Sequence, residues 1–310
     1  ILLEELCPLV KKMGYDGLEL ATHAHFDVQK ALHDPSYIPH VKKVLADNGL
    51  QCKALSAHLT GQCVGDLYDE RLDNFAPAVL SGKPDEIRAW AIQEMKASLM
   101  GIKIITGFTG SPIWARWYSY PQTSEDMIEQ GFQQIYDLWT PIFDVFDEYG
   151  ILFALEVHPT EIAFDYYTTQ RLLELFGRRP TLGLNFDPSP LVWQGVNEIT
   201  FARDFADRIY HVHMKDVKLP KHEKAGILGS FLTFGDSRRA WNFVSVGHGD
   251  VDFDGIIRVL NEAGYTGPLS VEWEDSGMER ELGATKSCTY VRKINFEPSQ
   301  VAFDAALTTK

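Results

Sequence analysis

Four short apolar segments in the second half of the chain each end in a side chain that can bind a metal ion. The segments cover residues 153–156, 182–187, 209–213 and 269–272, and they end in Glu156, Asp187, His213 and Glu272. Helix-like stretches separate these segments, as in a parallel α/β fold. Because the C-terminal ends of parallel strands meet on one face of such a fold, we expect the four side chains to converge there.

The alternation of strand and helix runs through the whole chain. Strands are predicted at 16–20, 51–56, 102–107, 151–157, 182–186, 209–213 and 268–273. Helices are predicted at 2–13, 37–47, 86–99, 125–148, 169–176, 198–206 and 254–263. An eighth strand before Ile1 would complete a (β/α)8 barrel, so we expect a single TIM-barrel domain over residues 1–310 with its first strand truncated. A doubly wound fold is disfavoured because no Gly-rich phosphate loop follows an early strand.

Composition excludes several classes of function. The formal net charge of −14 leaves no basic surface for nucleic acid or for an anionic membrane. No apolar run approaches the roughly 20 residues that a membrane-spanning helix needs. The spacing of the four cysteines matches neither a zinc ribbon nor a compact disulfide framework. Together with the absence of a visible signal peptide, this predicts a reduced, cytoplasmic protein.

The converging side chains predict a metal-dependent enzyme. Three carboxylates and one imidazole suit a hard or borderline divalent cation. We expect Mn²⁺ first, with Mg²⁺, Co²⁺ and Zn²⁺ as alternatives. Any one of these residues alone would more often be a helix cap or a surface ion-pair partner, but four at consecutive strand ends favour a metal site.

Several motifs point to a known family. They are His25-Phe26-Asp27-Val28, Ser56-Ala57-His58-Leu59, Gly107-Phe108-Thr109-Gly110-Ser111, Leu155-Glu156-Val157-His158-Pro159, Asn185-Phe186-Asp187-Pro188-Ser189, His211-Val212-His213-Met214-Lys215-Asp216, residues 246–253 and residues 270–275. In these motifs the chain resembles the xylose-isomerase-like TIM barrels, the sugar phosphate isomerase/epimerase superfamily. The resemblance spans almost the whole chain.

The resemblance implies that Glu156, Asp187, His213 and Glu272 bind the metal and that Glu156 and Glu272 exchange protons with a substrate carbon. A metal that grips a carbonyl and the neighbouring hydroxyl acidifies the C–H bond between them. The expected activity is therefore isomerisation or epimerisation of a keto sugar or 3-oxo-glycoside through an enediolate.

One departure from the family favours a different outcome. Many relatives carry a histidine that touches the substrate hydroxyl three residues after the aspartate, where this chain has Pro190. His158 lies two residues after Glu156 and would share its face if the strand continued. The catalytic subunits of C-glycoside deglycosidases share this barrel and have a catalytic histidine in the same arrangement. The alternative activity is therefore metal-assisted elimination from a 3-oxo-C-glycoside, with His158 as the base, although His158 could equally be a packing residue.

Other side chains are candidates for substrate binding. His58 ends a predicted strand, Trp114 and Trp193 are expected to stack on a sugar or aglycone, and Lys215 could hold an anionic oxygen. For Lys215 the competing interpretation is a surface residue paired with Asp216, and for the two tryptophans it is packing. His211 is expected to hydrogen-bond behind the metal site.

The remaining hypotheses concern substrate and partners. The loop at 247–250 offers backbone N–H groups to a phosphate, but no cluster of arginines accompanies it, so an unphosphorylated sugar or glycoside is favoured. We expect a homo-oligomer, or a hetero-oligomer with a small partner subunit. An apurinic-site endonuclease is opposed by the negative charge, and a non-catalytic assembly subunit is opposed by the intact set of four ligands.

Overall fold

The computed structural model describes residues 1–97, 102–219 and 224–299. Its strands are β1 (Leu20–Ala21), β2 (Ala54–Ser56), β3 (Ile104–Gly107), β4 (Leu152–Glu156), β5 (Leu182–Phe186), β6 (Ile209–Met214), β7 (Asp216–Lys218), β8 (Asn242–Val244) and β9 (Leu269–Val271). Its α-helices are α1 (Leu3–Met13), α2 (Val28–His33), α3 (Tyr37–Asp47), α4 (His58–Gly65), α5 (Pro84–Ala97), α6 (Glu125–Tyr149), α7 (Tyr166–Leu175), α8 (Ser189–Gln194), α9 (Glu198–Asp204), α10 (Phe253–Glu262) and α11 (Arg280–Ile294).

Seven strands form one curled parallel sheet in the order β1-β2-β3-β4-β5-β6-β9. Every neighbouring pair is parallel, and the helices between the strands form the crossovers. The TIM-barrel fold class is confirmed, and an observed strand overlaps each of the seven predicted ranges. The overlap is smallest for β1, which shares only Leu20 with the strand predicted at 16–20. The predicted helix at 86–99 is observed as α5, and its last two predicted residues lie outside the described part of the chain.

The longest helix packs against the strand that carries Glu156. α6 begins after Ser124, whose hydroxyl accepts a hydrogen bond from the N–H of Met127, and ends at Gly150, which adopts a left-handed conformation. The ring of Trp139 lies 4.8 Å from that of Phe153 in β4, measured between centroids. Burying a side chain such as Phe153 contributes roughly 1.5–3 kcal/mol to the stability of the fold. This packing therefore helps to hold β4, and with it Glu156, in place.

The second sheet is a hairpin that the sequence did not predict. β7 continues from the end of β6 and pairs antiparallel with β8, with Asp216 opposite Val244. A small apolar cluster supports the hairpin, with Val217, Trp241 and Phe243 buried at its centre. The hairpin therefore adds a small antiparallel sheet at the C-terminal end of β6.

No helix in the three described ranges is both long enough and apolar enough to cross a lipid bilayer.

Candidate active site

The four predicted metal ligands lie together at the C-terminal ends of their strands. Each offers one ligand atom, and these four atoms lie within 4.8 Å of one another. Glu156 is the last residue of β4 and His213 lies near the end of β6, whereas Asp187 and Glu272 directly follow β5 and β9. The parallel register places Glu156 beside Asn185 and His213 beside Ser270. The sheet therefore brings the four side chains to one place.

Most of this cluster is buried. Glu156 and Asp187 are each 2% exposed and His213 is 4% exposed, while the side chain of Glu272 is 33% exposed. Burial raises the pKa of Asp187 well above its usual range, and the negative charge of Glu156 adds to the effect. Burial also opposes ionisation of Glu156, but hydrogen bonds with His213 and His58 outweigh it and hold its pKa well below the usual range. A cation would relieve the repulsion among these carboxylates.

Asp187 is fixed in an orientation that suits a metal ligand. Its Oδ1 accepts hydrogen bonds from the N–H and the hydroxyl of Ser189, both at 2.8 Å. Its Oδ2 is buried, and the described residues give it no hydrogen-bond partner. A buried carboxylate oxygen without a partner is costly unless a cation binds it. The donor set and this unpaired oxygen fit a divalent cation.

The sequence analysis missed Glu19, which lies just before β1. One of its carboxylate oxygens lies 2.9 Å from Nε2 of His211 and 2.9 Å from Nε2 of His213, and the other accepts a hydrogen bond from the Thr106 hydroxyl. A carboxylate only accepts hydrogen bonds, so His213 carries its proton on Nε2 when it is neutral. Its Nδ1 then directs its lone pair toward the cluster, where the amide of Asn185 lies 3.1 Å away, and this is the orientation that a metal ligand requires.

A signal for Glu19 was present in the sequence. It lies between Leu18 and Leu20 in a predicted strand, so a carboxylate interrupts an apolar segment there, close to the end of the predicted strand. The structure also places His211 as expected, hydrogen-bonded behind the cluster. Its other ring nitrogen, Nδ1, has no hydrogen-bond partner among the described residues.

His58 contacts Glu156 directly. Its Nε2 lies 3.0 Å from Glu156 Oε2, and its Nδ1 lies 2.8 Å from the hydroxyl of Ser56. The amide of Asn185 donates to the same Glu156 oxygen at 3.0 Å. The predicted substrate-binding residue His58 therefore also orients the carboxylate of Glu156.

His158 lies beside the cluster, although β4 ends at Glu156 and does not reach it. Burial lowers the pKa of His158, and the charge of Glu156 partly opposes this shift. Its ring packs against Phe108 with centroids 5.4 Å apart, and its buried Nδ1 has no partner in the described ranges. A neutral imidazole with an unpaired nitrogen can take a proton from a substrate.

Lys215 is buried rather than on the surface. Its ammonium donates to Glu274 Oε1 at 3.1 Å, lies 3.3 Å from Glu272 Oε2, and sits 4.2 Å from the centre of the Phe243 ring. The interpretation as a surface pair with Asp216 is therefore wrong. Glu274, which the sequence analysis did not single out, holds this ammonium beside the cluster.

Asp216 instead organises the loop at 247–250. Its Oδ2 accepts hydrogen bonds from the N–H groups of Gly247 and Gly249, at 2.9 and 2.7 Å. A carboxylate of the protein itself thus takes the place that a phosphate would need. Binding of an unphosphorylated substrate stays a prediction.

The two candidate tryptophans make aromatic contacts. Trp193 stacks on Trp241 with centroids 4.4 Å apart and planes at 8°, within the apolar cluster of the hairpin. Trp114 packs edge-on against Phe164, with centroids 5.6 Å apart. Both are partly exposed, and contact with a substrate stays a prediction for each.

A model for the xylose isomerase-like TIM barrel matches residues 7–294 of the chain. The protein YfiH of Bacillus subtilis (strain 168) is 26% identical over 308 residues, covering 92% of each chain. An inosose dehydratase of Clostridium perfringens is 35% identical over 112 residues, which are 36% of this chain and 37% of that protein. Among solved structures, the 3-keto-D-glucoside 4-epimerase YcjR from E. coli is similar in fold, with a TM-score of 0.66, 16% identity and 94% coverage of both chains. The chain belongs to the xylose isomerase-like TIM-barrel family.

Proposed function

We propose that this protein is a divalent-metal-dependent enzyme that removes a proton beside the ketone of a keto sugar or 3-oxo-glycoside. Return of the proton to a different carbon or face would give isomerisation or epimerisation. The observation that carries the proposal is the convergence of four ligand atoms within 4.8 Å at the barrel mouth. His158 and Lys215 lie beside that cluster and supply the other groups that such a reaction needs.

The cation would be held by Glu156, Asp187, His213 and Glu272. When bound, a divalent cation such as Mn²⁺ polarises the ketone and stabilises the enediolate that forms as the proton leaves. Glu19 supports this role because it keeps Nδ1 of His213 free to bind. Mn²⁺ is the first choice, and the same ligands accept Mg²⁺, Co²⁺ or Zn²⁺.

Side chains of the protein would transfer the proton and stabilise the developing negative charge. His158 is half-buried and its pKa is lowered, so its neutral ring is suited to accept a proton, and the ammonium of Lys215 can hold a developing negative charge on oxygen. Glu156 and Glu272 are the other candidate bases. Two bases on opposite faces of one carbon give epimerisation, whereas one base serving two carbons gives isomerisation.

The names of the relatives support this class of chemistry. One is a dehydratase and one is an epimerase of a 3-keto-glucoside. Epimerisation and dehydration beside a ketone both begin with removal of the proton next to the carbonyl. In its broadest form, the proposal is therefore a sugar-modifying enzyme that removes the proton next to a carbonyl.

Elimination is the second candidate, and two observations favour it. Pro190 lies buried in α8, at the position where many relatives have a histidine for the substrate hydroxyl. By contrast, Nδ1 of His158 has no hydrogen-bond partner in the part of the chain that the structure describes. If the carbon next to the enediolate carries a leaving group, as in a 3-oxo-C-glycoside, the same first step ends in bond cleavage.

The test is incubation of metal-loaded protein in D₂O with a panel of ketoses and 3-oxo-glycosides. We expect deuterium uptake at the carbon next to the ketone, its loss after chelation, and its return with Mn²⁺. Product analysis separates isomerised or epimerised sugar from a released aglycone. Full turnover by protein that elemental analysis shows to be metal-free, or no exchange with any compound, would contradict the proposal.

A further inference from the structure

Glu161 is a fully buried carboxyl group that the proposed reaction does not use. It lies in the segment after β4, three residues beyond His158. Its Oε2 accepts hydrogen bonds from the N–H groups of Thr109 and Gly110, at 2.8 and 2.6 Å. Both donors belong to the segment after β3, so this one side chain joins two neighbouring loops at the mouth of the barrel.

Backbone hydrogen bonds close the same junction between the two loops. The N–H of Glu161 donates to the carbonyl of His158 at 2.9 Å, which forms a tight turn over residues 158–161. The N–H of Ile162 donates to the carbonyl of Gly110 at 3.3 Å. The turn that carries His158 is therefore tied to the loop after β3 both through the side chain of Glu161 and through the backbone.

The turn over residues 158–161 has a strained backbone. Thr160 has a φ of 122°, in the region that favours glycine. Its hydroxyl donates to Oε1 of Glu161 at 3.2 Å. A β-branched residue stays in such a conformation only when the surrounding structure over-determines it. The hydrogen bonds of Glu161 supply that constraint.

The junction also sets the position of the His158 ring. This ring packs against Phe108 with centroids 5.4 Å apart, and Phe108 directly precedes Thr109 in the loop after β3. Phe108 packs edge-on against His58 as well, with centroids 4.7 Å apart. Because His158 and Phe108 lie in the two loops that Glu161 joins, the contact between their rings depends on the hydrogen bonds of Glu161.

We propose that Glu161 is a positioning residue that holds His158 where it can remove the proton beside the substrate ketone. A displacement of about 1 Å can cost about 10²-fold in rate, so a group that fixes the loop affects turnover without touching the substrate. The inference rests on the proposed function, because it assigns the proton transfer to His158.

Two variants separate the reach of this side chain from its charge. Glu161→Gln keeps the length and an oxygen that accepts from Thr109 and Gly110, but it removes the charge. Burial and the charge of Asp66 raise the pKa of Glu161 to about 8, so the protonated carboxyl that predominates at pH 7 already resembles an amide. Glu161→Asp keeps the carboxyl group and shortens its reach by one methylene. The matched control is Glu148→Asp, an exposed change in α6.

The first measurement is deuterium uptake by metal-loaded protein with the compound that the wild type exchanges fastest. Glu161→Asp should lower kcat by about 10²-fold with little change in KM, whereas Glu161→Gln and Glu148→Asp should turn over like wild type. In a His158→Ala background Glu161→Asp should have no further effect, because both changes remove the same contribution. Phe108→Leu removes the ring on which His158 packs and should lower kcat in the same way. It serves as the second variant if thermal unfolding shows that Glu161→Asp is not folded.

The second measurement reports the position of the His158 ring and needs no turnover. Diethyl pyrocarbonate modifies neutral imidazoles, and mass spectrometry of the modified peptide gives the rate at His158. Glu161→Asp should raise that rate several-fold, because the ring loses its contact with Phe108 and becomes accessible. Glu161→Gln should leave the rate unchanged.

The outcomes separate this inference from the proposed function. Exchange by the wild type with an unaltered kcat in Glu161→Asp, or with an equal loss in the His158→Ala background, would overturn the inference and leave the reaction standing. A loss in Glu161→Gln as large as that in Glu161→Asp would assign the effect to charge and overturn it too. Faster modification of His158 in Glu161→Asp, without exchange of any compound by the wild type, would refute the reaction and uphold Glu161 as the group that fixes the ring. An unchanged modification rate in Glu161→Asp would overturn the inference whatever the reaction.

Discussion

The position of His213, a predicted metal ligand, depends on a carboxylate outside the predicted ligand set. Glu19 accepts hydrogen bonds from Nε2 of both His211 and His213, which fixes the ring of His213 and the nitrogen that faces the cluster. Partners of this kind usually raise the basicity of the ligand as well as orienting it. We therefore expect Glu19 to act as a positioning residue for the proposed cation.

Replacing Glu19 tests this role without any substrate. Glu19→Gln removes the negative charge and leaves an amide that can donate as well as accept. We expect the Kd for Mn²⁺ to rise by about 10–100-fold. Isothermal titration of metal-free protein measures it, with Glu262→Gln, an exposed change at the end of α10, as the control. An unchanged Kd in Glu19→Gln would show that Glu19 does not position His213 for metal binding.

His158 is expected to act on substrate and not on the metal. His158→Ala should lower kcat by roughly 10²–10⁴, the usual worth of a positioned acid or base, while metal content stays near one equivalent. His33→Ala, an exposed change at the end of α2, is the control. If turnover recovers to near wild type at saturating metal, His158 only supports the metal site, and the base is Glu156 or Glu272.

At the scale of elements, the strands and the residues at their C-terminal ends could be predicted, because both depend on the local sequence pattern. Strands such as β4 and β5 are almost wholly apolar, as strands covered on both faces are, and their last residues mark the barrel mouth. The convergence of Glu156 with Asp187 followed from that pattern alone. A strand and its C-terminal side chain can be predicted because both are set by a few neighbouring residues.

The sequence could not predict contacts that depend on distant segments. The β7–β8 hairpin forms because Val217 and Phe243 share a small apolar cluster with Trp193, which belongs to α8. The role of Glu19 required the sheet to bring β1 beside the histidines of β6, which are nearly two hundred residues away. The competing interpretation of Lys215 as a surface residue paired with Asp216 is wrong because Lys215 is buried beside the carboxylates of Glu272 and Glu274.

Close packing of α4 against the segment after β3 should also be measurable. A Cβ on Gly61 would lie 2.0 Å from the backbone oxygen of Phe108, which is too close for any side chain. Gly61→Ala should therefore destabilise the fold by about 1–3 kcal/mol and displace His58, which begins α4. Urea unfolding measures the loss of stability. Gly226→Ala, with no heavy atom within 4 Å of its Cβ, is the control and should unfold like wild type.

At the scale of the whole molecule, an acidic protein has several carboxylates at its candidate active site. Three carboxylates surround His213, and after the opposing cost of burial the charges of Glu19 and Glu272 raise its pKa well above the usual range. Burial also raises the pKa of Asp187, as described above. In the metal-free state both groups therefore keep their protons to higher pH than usual.

Metal binding should accordingly release protons and strengthen as pH rises. A cation must displace the protons from Nδ1 of His213 and from Asp187, whose pKa values are raised, whereas Glu272, with its pKa lowered to about 2, is already ionised. We expect the Kd for Mn²⁺ to fall between pH 6 and pH 8. Calorimetry in two buffers of different ionisation enthalpy counts the protons released. Identical heats in the two buffers would contradict this arrangement.

The most direct test of the central claim is the stoichiometry of Mn²⁺ binding by wild type and by Asp187→Asn. This change keeps the oxygen that accepts from Ser189 and replaces the unpaired Oδ2 with an amide nitrogen, which is a poor metal ligand. Elemental analysis and titration of dialysed protein should give one tightly bound cation in wild type and in the exposed control Asp254→Asn. Binding should be weakened by at least about tenfold in Asp187→Asn. A wild type that binds no cation, or an Asp187→Asn variant that binds Mn²⁺ as tightly as wild type, would contradict the account.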